Sequence, residues 1–296
     1  MLKQISLVNG KLTNLVSVYD RGLAYGDGFF ETMLWGSSYK NGEKYFGVEF
    51  WLKHLKRIRK GCKFLKINIP SNFEILKQRD KILKESLNSG YTSGLLKLII
   101  TRGVGGRGYK FEDGMKPTII FLSFPRPQMN PQFYLSGVKA CICENQLFYH
   151  EKLFGYKHLN RLDSVLARSE WDKKYFEGIC ADQKGNLIEG TMTNIFFVSK
   201  NKIITPPIIN SGISGVMRNI ILKNAIKFFD KVVIKNVHRK HLHKFDQMFL
   251  ANSVIKIVPV NKIDNKKFII KDNTRALIDL FTKKSNERKS INLEII

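Results

Sequence analysis

The stretch Tyr156-Lys157-His158-Leu159-Asn160-Arg161-Leu162 places one lysine directly before a segment with helical periodicity, residues 162–175. Apolar residues recur there at the spacing of an amphipathic helix, so the lysine is expected between a strand region and a helix. A lysine at such a position is in most proteins a solvated surface residue, and this chain contains many lysines. The segments around it are what indicate a chemical role.

Two segments that follow Lys157 carry groups suited to a charged cofactor. Residues 185–196, GNLIEGTMTNIF, predict a turn and a strand in which the single carboxylate, Glu189, precedes small polar residues and an apolar run. Residues 211–218, SGISGVMR, place glycines directly before a predicted helix. Free backbone N–H groups at a helix N-terminus bind phosphate well, so this second segment predicts a phosphate site.

An arginine upstream adds a fourth group. Residues 48–65 carry apolar side chains at helical spacing, and Arg57 on this predicted helix is a suitable cationic partner for a phosphate. None of the four features is specific by itself. A lysine, a carboxylate, a phosphate-binding helix start and an arginine together are the groups that hold pyridoxal phosphate.

Proline residues divide the chain. Pro125, Pro127 and Pro131 have polar neighbours and mark a linker. Strands and helices are mixed on both sides of it, without the steady alternation of a parallel α/β fold. The expected architecture is α+β, with a smaller N-terminal domain (1–124), a linker (125–132) and a larger C-terminal domain (133–296) that contains Lys157.

The formal charge of +25 favours anionic ligands. Nucleic-acid binding normally concentrates positive charge on one face or tail, whereas these lysines are spread along the whole chain. We therefore expect a solvated lysine-rich surface that attracts an acidic small molecule, and no nucleic-acid partner. A basic nucleic-acid-binding protein without catalytic activity is the alternative from another functional class.

Membrane, metal and redox functions are not expected. No apolar run has the length of a membrane span, and the N-terminus lacks a secretory pattern, which favours a cytoplasmic location. The four cysteines have no metal-ligand or redox spacing and are expected to be reduced thiols.

Four segments in chain order give these groups a family context: residues 20–32 (DRGLAYGDGFFET), 54–58 (HLKRI), 188–196 (IEGTMTNIF) and 215–218 (GVMR). In them the chain resembles the fold-type IV pyridoxal-phosphate enzymes. That family includes branched-chain and D-amino acid aminotransferases and aminodeoxychorismate lyases. The resemblance runs from about Val8 to about Phe281. It implies a two-domain α+β fold, a pyridoxal 5'-phosphate cofactor and a homodimer.

The resemblance also implies which residues hold the cofactor. Lys157 would bind it covalently, and Glu189 would lie beside its pyridine nitrogen. The phosphate would be held by Arg57 and by the turn at Val216 and Met217. The remaining implied cofactor contacts are Thr193 and Ser253.

Two segments, residues 102–109 (RGVGGRGY) and 157–162 (KHLNRL), are similar to those of the aminodeoxychorismate lyases. Asn252 also lies in a segment that resembles the lyases. Glu31, in contrast, stands where some lyases have threonine and is similar to the aminotransferase pattern, whereas Thr32 is retained.

The lyase resemblance implies that 4-amino-4-deoxychorismate is split into 4-aminobenzoate and pyruvate, a step of folate synthesis. Arg107 and Asn252 would bind the carboxylates of the substrate. Thr32 would assist proton transfer or departure of the leaving group. The alternative within the family is an aminotransferase acting on D-amino or branched-chain amino acids, with the same fold and cofactor.

Overall fold

The computed structural model describes residues 4–40 and 43–287, which divide into two compact units. Unit 1 comprises the chain up to Gln128 together with Tyr156–Asn160, and unit 2 comprises Met129–Gly155 and Arg161–Asn286. The boundary after Gln128 falls inside the segment predicted as a linker. The Lys157 segment differs from the expectation. Its position in the chain suggests the C-terminal domain, but its backbone hydrogen bonds are with strands of unit 1.

Unit 1 is an antiparallel sheet covered on one face by helices. Its elements in chain order are β1 (Ile5–Val8), β2 (Lys11–Leu12), α1 (Arg21–Tyr25), β3 (Gly28–Lys40), β4 (Glu43–Val48), α2 (Trp51–Phe64), α3 (Asn72–Asn88), β5 (Ser93–Thr101) and β6 (Thr118–Pro125). The strand order is β2-β1-β6-β5-β3-β4.

The local sequence explains these elements of unit 1. The Asn9-Gly10 turn supplies the two positive φ angles that join β1 to β2, and this residue pair is typical of two-residue hairpin turns. The helix predicted at 48–65 is confirmed as α2, whose buried face includes Trp51 and Ile58. These residues pack with buried side chains of the sheet into one hydrophobic core, so the helix-bearing face is the interior of the unit.

Unit 2 is built around a larger sheet. Its elements are α4 (Gln132–Leu135), β7 (Val138–Ile142), α5 (Leu162–Ser169), β8 (Glu177–Ala181), β9 (Asn186–Gly190), β10 (Asn194–Ser199), β11 (Lys202–Thr205), α6 (Val216–Asn224), β12 (Lys231–Ile234), β13 (Val237–His238), β14 (Gln247–Asn252), β15 (Lys256–Ile263), β16 (Lys266–Lys267) and α7 (Asp272–Glu287), with 3₁₀ turns at Ala225–Lys227 and Arg239–Lys244.

Six strands of unit 2 close into a ring, in the order β10-β14-β15-β7-β8-β9, because β9 also pairs with β10. The pair that closes the ring is Glu189 with Asn194. Apolar side chains from all six strands form one buried cluster. The candidate carboxylate Glu189 therefore lies where the ring is closed.

The helix predicted at residues 162–175 is shorter than expected and ends at Ser169. The Arg168 guanidinium donates to the Trp171 carbonyl and lies 3.8 Å from the centroid of the Trp171 ring, which stabilises a turn beyond the helix. No helix in the described part of the chain combines the length and hydropathy of a membrane span. All four cysteines are free thiols.

Candidate active site

Lys157 is fixed by the backbone at the start of β3. The Phe30 N–H donates to the Lys157 carbonyl at 3.0 Å, and the Leu159 N–H donates to the Gly28 carbonyl at 3.0 Å. These bonds attach the Lys157 segment to the sheet as a short antiparallel bridge. The half-buried Lys157 side chain places its Nζ 4.3 Å from the centroid of the Phe30 ring. Its amine is thus held over one defined face of the sheet.

Thr32 and a residue that the sequence did not single out lie on this same face. Phe30 and Thr32 are two positions apart on β3, so their side chains point the same way. Lys97 pairs directly with Thr32 across β3 and β5, and its Nζ lies 5.0 Å from the Phe30 ring centroid. Burial lowers the pKa of Lys97. The structure therefore brings Lys157, Thr32 and Lys97 together around one aromatic ring.

Arg57 is paired on the opposite face of the sheet. Glu31, which alternates with Thr32, accepts hydrogen bonds from Arg57 Nε at 2.6 Å and Arg57 Nη2 at 2.5 Å. His54 Nδ1 lies 2.6 Å from Glu31 Oε2. The carboxylate and the imidazole are each only 1% exposed. Glu31 thus fixes the orientation of Arg57 and offsets its charge, and the role of Arg57 at a phosphate stays a prediction.

The electrostatics of this cluster favour an ionised Glu31. Burial by itself would raise the pKa of Glu31, but Arg57 and His54 outweigh it and lower the pKa from 4.5 to about 2. The ionised Glu31 carboxylate balances the positive charge of the Arg57 guanidinium.

Glu31→Gln is expected to lower the free energy of unfolding by about 3–5 kcal/mol near neutral pH, because it leaves a buried cation without its anion. The folded-state pKa of Glu31 lies below its unfolded value, so the stabilisation is complete above about pH 4.5 and is lost as the pH falls toward 2. Urea unfolding of both proteins across this range should show their difference shrinking with acid. Exposed Glu112→Gln is the control, and an equal effect of that variant would contradict the prediction.

Glu189 in unit 2 is a buried carboxylate that accepts two hydrogen bonds from neighbouring groups. It is 5% exposed. Its Oε2 accepts the Ile213 N–H at 2.8 Å and Asn194 Nδ2 at 3.2 Å. Burial lowers the pKa of Arg218, and the negative charge of Glu189 opposes that shift. Two donors and a neighbouring cation are what an ionised carboxylate requires in a buried position.

The helix start predicted to bind phosphate is also formed. Helix α6 begins after Gly215, and the chain before it is held by Gly155, whose carbonyl accepts the Ser214 N–H at 3.1 Å. A Cβ on Gly215 would lie 2.0 Å from Asn194 Oδ1, so the close packing there requires glycine. Glycine leaves the first-turn N–H groups of Val216 and Met217 without a capping side chain, and such groups bind anions.

These features of unit 2 fit pyridoxal phosphate chemically. A buried anion suits a protonated pyridine nitrogen, and the uncapped helix start suits a phosphate.

A second buried glutamate of unit 2, Glu177, organises the turn between β9 and β10, and sequence reasoning missed it. Its Oε1 accepts the Thr191 hydroxyl at 2.6 Å, and its Oε2 accepts the Thr193 hydroxyl at 2.9 Å and the Met192 N–H at 3.2 Å. Burial raises the pKa of Glu177, and these hydrogen bonds oppose the shift. The Thr193 hydroxyl, expected to contact the cofactor, is thus engaged by Glu177. Only the arrangement of strands reveals Glu177, since its sequence neighbourhood is an ordinary buried strand.

Asn252 and Ser253 form a turn in unit 2. Asn252 Oδ1 accepts the N–H groups of Val254 and Ile255 at 2.8 and 2.9 Å, and its Nδ2 donates to the Met192 carbonyl at 3.1 Å. The Ser253 carbonyl accepts Lys256 Nζ. Both Asn252 groups therefore stabilise the turn, and its contact with substrate stays a prediction, as does the cofactor contact of Ser253.

Arg107 lies on the exposed loop that joins β5 to β6 in unit 1. Within the described residues its guanidinium forms no hydrogen bond and no ion pair. Its charge is therefore accessible to an acidic ligand.

Comparison with known proteins identifies the family to which the chain is similar. The sequence model of amino-transferase class IV matches residues 28–263. An aminodeoxychorismate lyase of Vibrio harveyi is 31% identical over 257 residues, covering 86% of this chain and 90% of that protein. A putative branched-chain-amino-acid aminotransferase of Methanocaldococcus jannaschii is 32% identical over 266 residues, with 88% of each chain covered.

Solved structures agree with the sequence relatives. The crystal structure of 4-amino-4-deoxychorismate lyase from Pseudomonas aeruginosa matches with a TM-score of 0.82 and 34% identity, covering 94% of this chain and 98% of that one. This likeness confirms the α+β architecture expected of fold-type IV enzymes. The family model covers most of the chain, and the chain therefore belongs to the amino-transferase class IV family.

Proposed function

We propose that this protein is a pyridoxal-phosphate-dependent lyase that converts 4-amino-4-deoxychorismate into 4-aminobenzoate and pyruvate. The observation that carries the proposal is the cluster in unit 1, where the Lys157 amine lies over the Phe30 ring on the face that holds Thr32 and Lys97. It provides a base, a hydroxyl and a second, half-buried amine for an acidic substrate. Lyases at 31% and 34% identity support the same activity.

The cofactor, when bound, supplies an electron sink for the carbon next to the substrate nitrogen. Lys157 would hold the cofactor covalently, and its amine would remove the proton from the substrate ring carbon that carries nitrogen. Glu189 holds a proton on the pyridine nitrogen, because an anion raises the affinity of that nitrogen for its proton. The N–H groups of Val216 and Met217 would bind the phosphate.

The remaining groups act on the substrate. In unit 1, Arg107 would bind a carboxylate of the substrate, and the Lys97 amine lies beside Thr32. The Thr32 hydroxyl assists proton transfer toward the departing enolpyruvyl oxygen. Loss of that group as pyruvate leaves an aromatic ring, and formation of this ring is favourable. The protein therefore mainly has to orient the substrate and the groups that transfer protons.

Turnover of freshly prepared aminodeoxychorismate tests the proposal. Pyruvate and 4-aminobenzoate should form in equal amounts without any added keto acid. An aminotransferase is the second candidate, favoured by the Glu31 pattern and by the Methanocaldococcus relative. It needs a keto acid as second substrate. Turnover of D-alanine or leucine with 2-oxoglutarate far above that of aminodeoxychorismate would replace the lyase proposal.

Arg107→Ala is expected to lower kcat/KM for aminodeoxychorismate about tenfold to hundredfold, because a charge-assisted hydrogen bond is worth roughly 1.5–3 kcal/mol. The spectrum of the bound cofactor should not change. Arg107→Lys keeps the charge but loses the planar fork, so it should recover only part of the activity. Steady-state kinetics of the three proteins check this, and equal kcat/KM values would exclude Arg107 from substrate binding.

We also propose that two copies associate into a homodimer in the cytoplasm. The support lies in unit 1, where large apolar side chains between residues 12 and 23 are exposed, among them Leu15 at 76%, Val18 at 72% and Leu23 at 72%. Exposed apolar patches of this kind mark protein interfaces. Light scattering would measure the mass, and a monomer at micromolar concentration would contradict the proposal.

A further inference from the structure

The loop that carries Arg107 is attached to helix α1 by Arg21, a buried arginine at the start of that helix. Arg21 is 3% exposed, and its guanidinium reaches into the loop. Its Nη1 donates to the Gly108 carbonyl at 2.8 Å, and its Nη2 donates to the Tyr109 carbonyl at 3.1 Å. Its Nε donates to Asp27 Oδ2 at 3.1 Å. All three guanidinium nitrogens are thus engaged, two of them by the residues directly after Arg107.

Tyr25 holds the same part of the loop from a second side. Its hydroxyl accepts the Gly108 N–H at 3.0 Å. Its ring meets the Tyr109 ring edge-on, with 5.5 Å between centroids. The Arg21 guanidinium lies 4.7 Å from the Tyr25 ring centroid. Arg21 and Tyr25 therefore form a single clamp on Gly108 and Tyr109.

The glycines of the loop are what allow it to wrap around Arg21. A Cβ on Gly105 would lie 2.9 Å from Arg21 Cδ. Gly103 has a φ of 93°, and a Cβ there would lie 2.0 Å from the Lys116 carbonyl oxygen. The Gly105 N–H also donates to the Tyr19 carbonyl at 3.3 Å. Both glycines are required by close approach, so the loop has a defined path rather than a free one.

Asp27 fixes the clamp to the sheet. Its carboxylate accepts a hydrogen bond from Arg21. It also accepts two from Arg102, whose Nε and Nη2 donate to the two carboxylate oxygens at 2.7 and 2.9 Å. Arg102 is the residue that directly follows β5. Arg21 is therefore anchored at one nitrogen and grips the loop with the other two.

We propose that Arg21 is a positioning residue for recognition of carboxylate-bearing substrates, which holds the loop so that the Arg107 guanidinium is presented in one place. The inference rests on the proposed role of Arg107 in substrate binding. A preorganised arginine loses less conformational entropy when it binds substrate than one on a mobile loop. Loss of the Arg21 contacts should therefore raise KM. Arg21 itself, buried under the loop, acts only through Arg107.

A double-mutant cycle tests this on the cofactor-loaded enzyme with aminodeoxychorismate. Arg21→Lys keeps the charge, but one ammonium cannot reproduce the fork that spans Asp27 and two carbonyls. It should raise KM about threefold to thirtyfold and change kcat by less than about twofold. In the Arg107→Ala background, Arg21→Lys should change kcat/KM by less than about twofold, because its target is gone. If the two substitutions instead lower kcat/KM by independent factors that multiply in the double variant, the proposal is overturned.

A matched control and a second readout separate positioning from stability. Arg79→Lys replaces another buried arginine of unit 1, paired with Asp80, and should lower the melting temperature without changing KM. Hydrogen exchange, which needs no substrate, should be faster over residues 103–110 in Arg21→Lys and unchanged in Arg79→Lys. Unchanged exchange in Arg21→Lys would overturn the proposal.

A milder variant and a different substrate keep the test decisive. If Arg21→Lys does not fold, Tyr25→Phe removes only the acceptor for Gly108 and should raise KM about twofold to fivefold, again only when Arg107 is present. If the wild-type protein does not turn over aminodeoxychorismate, the proposed function fails. The cycle is then measured with the carboxylate substrate that the protein does use, and additive effects there would overturn the inference separately.

Discussion

Lys157→Ala is expected to abolish the visible absorbance of the lysine-bound cofactor and to lower turnover at least about a thousandfold. Two functions are lost at once, the covalent attachment and the base that removes the substrate proton, and a positioned base alone contributes roughly a hundredfold to ten-thousandfold. The fold should survive, because the backbone hydrogen bonds of the Lys157 and Gly28 carbonyls, which attach this segment to β3, are not removed by the substitution.

The attachment point can be located directly. Borohydride reduction of the cofactor-loaded enzyme followed by peptide mapping should place the label on Lys157. Exposed Lys152→Ala, five residues earlier, is the matched control and should keep both the label and the activity. A label on another lysine would exclude Lys157 as the site.

Glu189→Gln is expected to lower kcat by about two to four orders of magnitude while cofactor binding largely survives. The amide carbonyl can still accept the Ile213 N–H and Asn194 Nδ2, so the local structure is kept and only the charge is lost. Without the anion the pyridine nitrogen loses its proton more easily, and electron withdrawal weakens.

The measurement is kcat at saturating cofactor together with the affinity for the cofactor. Glu170→Gln serves as control, because Glu170 also accepts two backbone N–H groups in unit 2 but lies on an exposed turn. Its kcat should equal that of the wild-type protein. Near-normal kcat in Glu189→Gln would mean that the carboxylate is structural.

The local sequence predicted much of the fold where one segment contains its own signal. The hairpin at Asn9-Gly10 and helix α2 follow from turn residues and helical periodicity. The helix after Arg161 was predicted too long, since the contact of Arg168 with Trp171 is specific to the folded turn. The backbone pairing of the Lys157 segment with distant β3 could not be predicted, because it carries no local signal.

The sequence by itself determined the family, and it singled out Lys157, Glu189 and the glycine turn before Val216, because each of these stands in a short contiguous motif. Tertiary structure decided which groups surround them. Lys97 is one lysine among many until strand pairing sets it opposite Thr32. Arg21 and Gly108 are 87 residues apart in the chain, and only the folded loop brings them within hydrogen-bond distance. Motifs encode local chemistry, whereas the partners that orient it come from non-local contacts that close only when the sheet forms.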